Sequence, residues 1–373
     1  MSINKKYIVM LLIDTIGIET GMHLYDEALV CEFEKRGIKT SVLSNYKASY
    51  VKCQIDNFYK GGKLTKIWKL IKSLFVNLLI SWRYRKNTIV YQSFGLRIVD
   101  ILFILPYTFH KNFYVIAHDI FEITKEIKEE SFKRKLQLFV YKHVIKKIIC
   151  HSDQAAKVLK ESVEFEGKII CFPHFSYCYK KEYNLSDIDT DLQKSIIPGK
   201  VNCLFFGQIR KSKGIDILVD AIKTIENKHL NIIIAGNDKE GLLKDVLFPE
   251  GVIKVCRYIT DSEMKFLFDN VDIILLPYKE IYQSGVLENV VYWRKYAITS
   301  DVDAFKHFFA KYPSFGEVYS PNTGYAMGEC LNSLELQKKT YSKDDISIYN
   351  KDHDVLCLIE QMNIDDYRSQ IKV

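Results

Sequence analysis

The sequence predicts an α/β protein made of two doubly wound parallel sheets, and three observations carry that prediction. Short apolar runs alternate with longer amphipathic stretches along the whole chain, the runs fall into two successive sets, and a polar segment separates the sets. The length of 373 residues suits two cores, because single domains usually hold about 100 to 200 residues.

In the first set the apolar runs cover residues 7–13, 40–43, 88–91, 113–117, 147–150 and 169–172. In the second they cover 202–207, 230–235, 252–255, 272–276 and 296–299. Continuous apolar runs separated by helical patterns are what a parallel sheet covered on both faces requires. Between the sets, residues 181–199 hold Asp187, Asp189 and Asp191 and end in Pro198-Gly199, which reads as a linker in a structureless acidic loop. Its Asp-x-Asp spacing lacks the glycine of a calcium loop, so no metal site is expected there. The expected domains are therefore 1–180 and 200–350, with 351–373 a C-terminal helix that can cross back to the first domain.

Apolar residues make up 48% of the chain and charged residues 27%, a composition that folds. The nine cysteines include no Cys-x-x-Cys pair, so neither a zinc nor a disulfide scaffold is expected, and a reducing cytoplasm is the simpler setting. The polar start runs straight into the first apolar run, too short for a signal peptide. Residues 1–180 carry 29 Lys and Arg against 17 Asp and Glu, whereas the remainder carries 24 against 29. A basic first half suits an anionic partner, although lysines also solvate helix faces.

Two segments carry chemistry. In the first, a strand ends at Gly207, the basic loop Gln208-Ile209-Arg210-Lys211-Ser212-Lys213 follows, and Gly214 opens a helix with apolar residues at Ile215, Leu218, Ala221 and Ile222. A strand, a basic loop and a helix start make an anion site, since free N–H groups and the positive helix end face the ligand. Arg210 can contact phosphate oxygens bidentately and Lys213 adds a second charge. In the second segment, a strand ends at Pro277 and a polar loop leads to Ser284-Gly285 at the mouth of another helix. Ser284 suits an N-cap there, and Gly285 allows close approach of a phosphate.

These segments resemble the nucleotide-sugar domain of retaining glycosyltransferases of the GT-B fold, in particular the large family four (glycosyl transferases group 1). The resemblance runs through Phe206-Gly207, Lys213-Gly214, Ile234-Ala235-Gly236, the stretch from Tyr258 to Met264, Pro277-Tyr278 and Gln283-Ser284-Gly285-Val286. In the first half it includes Gly21, Ala117-His118-Asp119, His151-Ser152-Asp153 and Pro173-His174. It implies two Rossmann-like doubly wound domains facing a central cleft, with the donor held by the second domain and the acceptor by the first. It also implies that Gly207, Arg210, Lys213, Gly214 and the stretch Gln283, Ser284, Gly285 and Val286 hold the donor diphosphate, with Tyr258 near the base. His118 is then the catalytic-site residue beside the reacting sugar, Gly21 and Asp119 lie on the acceptor side, and His151 and His174 are structural. No metal and no cofactor are implied, the nucleotide-sugar itself being the substrate.

Three departures from the family pattern stand out. Gln208 replaces the usual Arg after the glycine, so Arg210 is the candidate for that role. Glu280 and Glu288 have the spacing of the family's two glutamates, but alignment on Gly285 places Tyr282 and Val290 there instead, leaving Glu288 as either a ribose ligand or a helix-surface charge. Trp293-Arg294-Lys295-Tyr296 stands where many members have a Gly-x-Pro turn. The resemblance therefore implies a transferase of bacterial surface polysaccharide or glycolipid assembly, the alternative being a non-catalytic glycosyltransferase-like subunit or glycan-binding protein. A nucleotide-sugar epimerase would need a carboxylate acid/base pair, which is not evident.

The basic half contains Lys63, Lys66, Lys69 and Lys72 at every third position, with Trp68, Ile67, Leu70, Ile71, Leu74 and Leu78 interleaved and Trp82 beyond. Such a helix suits peripheral contact with the anionic inner face of a membrane, or else packs its apolar side inward. No nucleic-acid motif accompanies the charge.

Overall fold

The structure, a computed structural model, describes residues 8–17, 21–120, 131–281, 283–334 and 341–362; Tyr7, Tyr282 and the end of the expected C-terminal helix, 363–373, lie outside these. The chain divides into two compact units, Met1–Tyr179 with His353–Val373, and Lys180–Asp352.

The first unit is a seven-stranded parallel sheet in the order β3-β2-β1-β4-β5-β6-β7, formed by β1 (Ile8–Ile13), β2 (Ile38–Ser44), β3 (Val51–Gln54), β4 (Thr88–Phe94), β5 (Phe113–Asp119), β6 (Lys147–Cys150) and β7 (Lys168–Cys171). Its helices are α1 (Met22–Lys35), α2 (Lys63–Arg83), α3 (Ile98–Ile104), α4 (Phe132–Phe139) and α5 (Asp153–Glu161). The order reverses between β1 and β4, and the crevice at such a reversal is where open α/β sheets place their ligands.

The second unit is a six-stranded parallel sheet in the order β10-β9-β8-β11-β12-β13, formed by β8 (Val201–Phe206), β9 (Leu230–Ala235), β10 (Val252–Val255), β11 (Ile273–Leu276), β12 (Tyr296–Thr299) and β13 (Gly316–Val318). The helices, in chain order, are α6 (Thr190–Lys194), α7 (Ile215–Ile222), α8 (Asp261–Asn270), α9 (Gly285–Trp293), α10 (Asp303–Lys311), α11 (Gly324–Asn332) and α12 (Lys343–Asp352). Here the reversal lies between β8 and β11. The chain then re-enters the first unit as α13 (Val355–Gln361), where Arg36 pairs with Asp354 at 2.8 Å and the Tyr114 hydroxyl donates to the Met362 carbonyl.

Each apolar run of the sequence coincides with a strand. The strands it did not reveal, β3 and β13, sit at sheet edges, where half-exposed or three-residue strands carry no apolar run. Residues 181–199 differ from the expected structureless loop. Asp189 caps α6 by accepting from the amides of Asp191 and Leu192 at 2.9 and 3.3 Å, and the buried Ile188 and Leu192 anchor the segment within the second unit. Its aspartates form no metal-binding group among the described residues.

Helix α2 is inside out. Its buried positions are Ser73, Asn77 and Ser81, while Leu64, Ile67, Trp68, Ile71, Phe75 and Trp82 are exposed. The inward face is held by polar contacts: Asn77 donates to the Phe103 carbonyl at 2.9 Å and accepts from the Tyr107 hydroxyl at 2.8 Å, and Ser73 accepts from the Asp56 amide at 3.2 Å. A helix that turns its small polar residues to the core leaves its apolar face exposed among the described residues.

Candidate functional site

The loops at the reversal in the second sheet are shaped by backbone contacts that tolerate no side chain. At the end of β8, Gly207 takes φ 111°, and a Cβ on Gly236 at the end of β9 would fall 1.6 Å from its carbonyl oxygen. Gly214, the residue before α7, takes φ 68°, and a Cβ there would fall 1.7 Å from the Pro277 carbonyl oxygen. The loop after β8 is thus pressed on the loop after β11. The Lys279 amide donates to the Ser212 carbonyl at 2.9 Å, and the Lys279 ammonium pairs with Asp216 at 2.5 Å.

This lacing brings charge together without neutralising it. Lys213 holds its ammonium 3.8 Å from the centroid of the buried Tyr278 ring, and neither Lys213 nor Arg210 forms an ion pair among the described residues. Ser284 caps α9 by accepting from the Leu287 amide at 3.2 Å. The first amides of α9, at Gly285 and Val286, have no intrahelical acceptor and carry the positive end of the helix dipole. Val286 lies beside Gly207, 4.0 Å from where a Cβ there would sit. Two unneutralised cations and two helix starts at one sheet edge form a site for a multiply charged anion.

Other expected donor residues are placed differently. Tyr258 follows the edge strand β10 and is 48% exposed. Its loop is fixed by the Arg257–Glu263 pair at 2.6 Å and by the Thr260–Glu263 capping box of α8. Gln283 is half-buried directly before the Ser284 cap. Glu288 is neither an exposed charge nor open at the loop edge: it is buried, accepts from the Tyr349 hydroxyl of α12, and burial pushes its carboxyl up to about 8. Glu280 is exposed. Where the family pattern has a Gly-x-Pro turn, Arg294 takes the left-handed position with φ 53°.

In the first unit, Gly21 precedes α1 with φ 76°, and Asp119 ends β5, its carbonyl accepting from the Gly95 amide at 2.9 Å. His118 is 2% exposed, stacked on Phe94 at 4.5 Å, met edge-on by Tyr25 at 4.7 Å, and bonded through Nε2 to Gln92 Oε1 at 2.9 Å. Tyr25 donates to His151 Nε2 at 2.9 Å, because His151 Nδ1 must carry the proton it gives to the Phe172 carbonyl at 2.9 Å. Burial depresses His151 to about 4 and His174 to about 3, so both are neutral in the fold.

Sequence reasoning missed Asp14 and Asp26, both fully buried behind Gln92. Asp14 accepts from the Ile16 and Gly17 amides at 2.9 and 3.0 Å, and Asp26 accepts from the Tyr46 hydroxyl at 2.6 Å and from Gln92 Nε2. The available signal was a carboxylate closing the apolar run of residues 8–13 and another amid the apolar positions of α1.

Comparison with known proteins bears on both units. Residues 200–311 match the family described as Glycosyl transferases group 1. A GDP-mannose:glycolipid 4-beta-D-mannosyltransferase of Xanthomonas campestris pv. campestris is 24% identical over 100 residues, 26% of this chain, and the match spans only 28% of that relative's length. The whole fold resembles HepE of Anabaena in complex with UDP-glucose, with TM-score 0.66, 12% identity, and 95% and 98% of the two chains covered. It also resembles a sucrose-phosphate synthase of Thermosynechococcus elongatus, with TM-score 0.67, 15% identity, and 98% and 99% covered. The fold class is GT-B, two Rossmann-like doubly wound α/β domains.

Proposed function

We propose that this chain, whose second unit carries a Glycosyl transferases group 1 domain, moves a sugar from a nucleotide diphosphate donor to a glycan or lipid-linked acceptor. The observation that carries this reading is the pair Arg210 and Lys213, without counter-ions among the described residues, beside two helix starts at the reversal of the second sheet. A diphosphate leaving group develops charge in the transition state, and fixed cations and amides aimed at it stabilise that charge without reorganising. Such a site needs no carboxylate nucleophile. The resemblance to retaining transferases makes the transfer retaining in this reading, and the cations, doing what a divalent ion would otherwise do, make it metal-independent; activity lost to a chelator and restored by magnesium would reverse the latter. In this reading His118 lies by the transferred sugar, with Gly21 and Asp119 on the acceptor side. The setting is bacterial surface polysaccharide or glycolipid assembly, in keeping with the glycolipid acceptor named for the Xanthomonas relative.

The test is calorimetric titration with UDP, GDP and ADP. One nucleotide should bind, and Arg210→Ala with Lys213→Ala should weaken it by at least about 100-fold, since hydrogen bonds to charged groups contribute about 1.5–3 kcal/mol each. If no nucleotide binds, the non-catalytic reading takes its place.

The acceptor side of the proposal includes an anionic membrane surface at α2. Its outward face carries Trp68 and Trp82, 69% and 71% exposed, with Lys63, Lys66 and Lys69 along it, while Lys72 is paired with Asp56. Ile98, Leu105 and Phe109, on α3 and after it, are exposed as well, Phe109 to 98%. No helix among the described residues is long and apolar enough to cross a membrane. Vesicles rich in phosphatidylglycerol should sediment the protein and phosphatidylcholine vesicles should not. Lys63→Glu with Lys66→Glu should lower binding by at least tenfold, at about 1 kcal/mol per basic residue. Indifference to lipid charge, or a concentration-dependent dimer through this face, would overturn the membrane assignment.

A further inference from the structure

Two consecutive residues of the loop after β11, Tyr278 and Lys279, meet the loop after β8 in different ways, and between them they decide where its charges go. Lys213 stands three residues before Asp216, which lies in the first turn of α7. Elsewhere in the chain lysines three residues from a carboxylate close on it, as Lys35 does on Glu32 at 2.6 Å, Lys223 on Asp220 at 2.7 Å and Lys306 on Asp303 at 3.2 Å. Lys213 forms no such pair among the described residues. Asp216 is taken instead by the Lys279 ammonium at 2.5 Å, and the backbone delivers Lys279 there, its amide donating to the Ser212 carbonyl at 2.9 Å. An unpaired carboxylate at Asp216 would harm an anion site twice. It would draw the Lys213 ammonium away, and it would set a negative charge at the positive end of α7.

Lys213 lies instead over the Tyr278 ring, 3.8 Å from its centroid. That ring is firmly placed. The Tyr278 carbonyl accepts from the Ser300 hydroxyl at 2.5 Å and from the Asn322 side-chain amide at 3.0 Å, and the ring packs on Phe305 of α10 at 5.6 Å. The residue is 1% exposed, and its hydroxyl is buried with no hydrogen-bond partner among the described residues. A buried hydroxyl without a partner costs its desolvation and returns nothing, so what this position supplies is the face of the ring. An aromatic face attracts an ammonium without neutralising it, which a carboxylate cannot do.

We propose that Tyr278 and Lys279 are positioning residues that keep Lys213 available to a diphosphate, Tyr278 by holding the ammonium on its ring and Lys279 by occupying Asp216. This rests on the reading of the site as one for a nucleotide diphosphate, and it adds what holds the cation ready before the ligand arrives. A lysine on its flexible stem loses rotamer freedom on binding, and one already seated on a ring has lost part of it beforehand.

The experiment is calorimetric titration of the full chain with inorganic pyrophosphate beside UDP, GDP and ADP, run as two double-substitution cycles. Tyr278→Leu should weaken binding about tenfold, the scale of ordering one rotamer-rich side chain. Tyr278→Phe keeps the ring and removes the unpartnered hydroxyl, so it should stay within about twofold of the parent. In a Lys213→Ala background Tyr278→Leu should add nothing. Lys279→Ala should weaken binding about fivefold at low salt. Asp216→Asn should restore that loss, yet change the parent by less than about twofold. Tyr278→Leu acting equally with and without Lys213, or Tyr278→Phe binding as weakly as Tyr278→Leu, would overturn the role of the ring. A Lys279→Ala loss that Asp216→Asn leaves in place would put Lys279 on the ligand itself and overturn its role as the partner of Asp216. If pyrophosphate binds and no nucleotide does, the proposed function falls and the cycles on pyrophosphate still decide the positioning. If a nucleotide binds and the cycles are additive, the positioning falls alone; if nothing binds, both fall. Near-ultraviolet circular dichroism checks the fold of each variant, and the Lys279 and Asp216 cycle, on partly exposed residues, serves should Tyr278→Leu not fold.

Discussion

The two sheet reversals of this chain obey the same topological rule and solve opposite problems. At the reversal in the second unit the polar groups are left open: Arg210 and Lys213 have no counter-ion among the described residues, and the starts of α7 and α9 present unsatisfied amides. At the reversal in the first unit they are closed on one another. Asp14, Asp26, Gln92, Tyr46 and His118 are buried and mutually hydrogen-bonded. Open cations suit a ligand that arrives and leaves with its charge. A closed network instead holds the residue at its end in place.

Two glycines test that contrast most sharply. Gly214 and Gly21 share a left-handed φ, 68° and 76°, and each stands immediately before a helix. A Cβ on Gly21 meets nothing within 4 Å, whereas one on Gly214 would strike the Pro277 carbonyl. Gly21→Ala should therefore cost only the backbone strain, about 1–2 kcal/mol. Gly214→Ala should cost that and also force apart the loops after β8 and β11, and, on the proposed function, nucleotide affinity should fall on the order of 100-fold. Equal effects of the two substitutions on denaturant midpoint and on affinity would show that the lacing of the loops does not shape the anion site.

A second contrast separates the units by pH. Glu288 is raised to about 8 by burial, against about 4.3 for an unfolded chain. Its contribution to stability is fully present below pH 4.3 and is lost as pH rises toward 8. Glu288→Gln keeps an acceptor for Tyr349 and removes the titration, so unfolding free energy should gain roughly 3–5 kcal/mol relative to the parent at pH 8 and change little at pH 4. In the first unit His151 and His174 are depressed, so their contribution is present above about pH 6.5 and is lost as pH falls toward 4 and 3. Asp26, raised, acts in the same sense as Glu288. Chemical denaturation of parent and variant from pH 4 to 8 measures the difference; parallel curves would mean that Glu288 is not held neutral.

How much of this was legible in the sequence follows from the same contrast. The loops of the candidate anion site are local: Gly207 through Gly214 and Pro277 through Val286 each declare a strand end, a turn and a helix start in one continuous stretch. The His118 network is assembled from positions 14, 26, 46, 92 and 118, on separate elements, and no spacing along the chain reveals that Asp26 and Gln92 meet. Glu288 misled for a related reason. Its position in the first turn of a helix looked like surface or ligand, and only the arrival of α12, with Tyr349, shows that this side of α9 is interior. The reversed face of α2 was equally hidden, because Ser73, Asn77 and Ser81 become an inward face only when Tyr107 and the Phe103 carbonyl are there to bond them.

Ser284 gives the smallest expected effect and the finest test of how the open site works. Its hydroxyl oxygen is already engaged as the α9 cap, accepting from the Leu287 amide at 3.2 Å, and the residue is largely buried. If the donor phosphate is held by the backbone amides of Gly285 and Val286 and by the cations, the side chain of Ser284 serves the helix and reaches the ligand only through it. Ser284→Ala should then lower stability by about 1 kcal/mol, the usual effect of removing a cap, and weaken nucleotide binding by no more than about threefold. Ser284→Asp would keep the cap but add a negative charge at the helix start. It should restore stability while repelling the diphosphate, so affinity should fall well below that of the alanine variant. Stability and affinity moving together across the two substitutions would place the Ser284 hydroxyl on the ligand itself. Moving in opposite directions, they would confine it to the helix and leave the anion to the amides, Arg210 and Lys213.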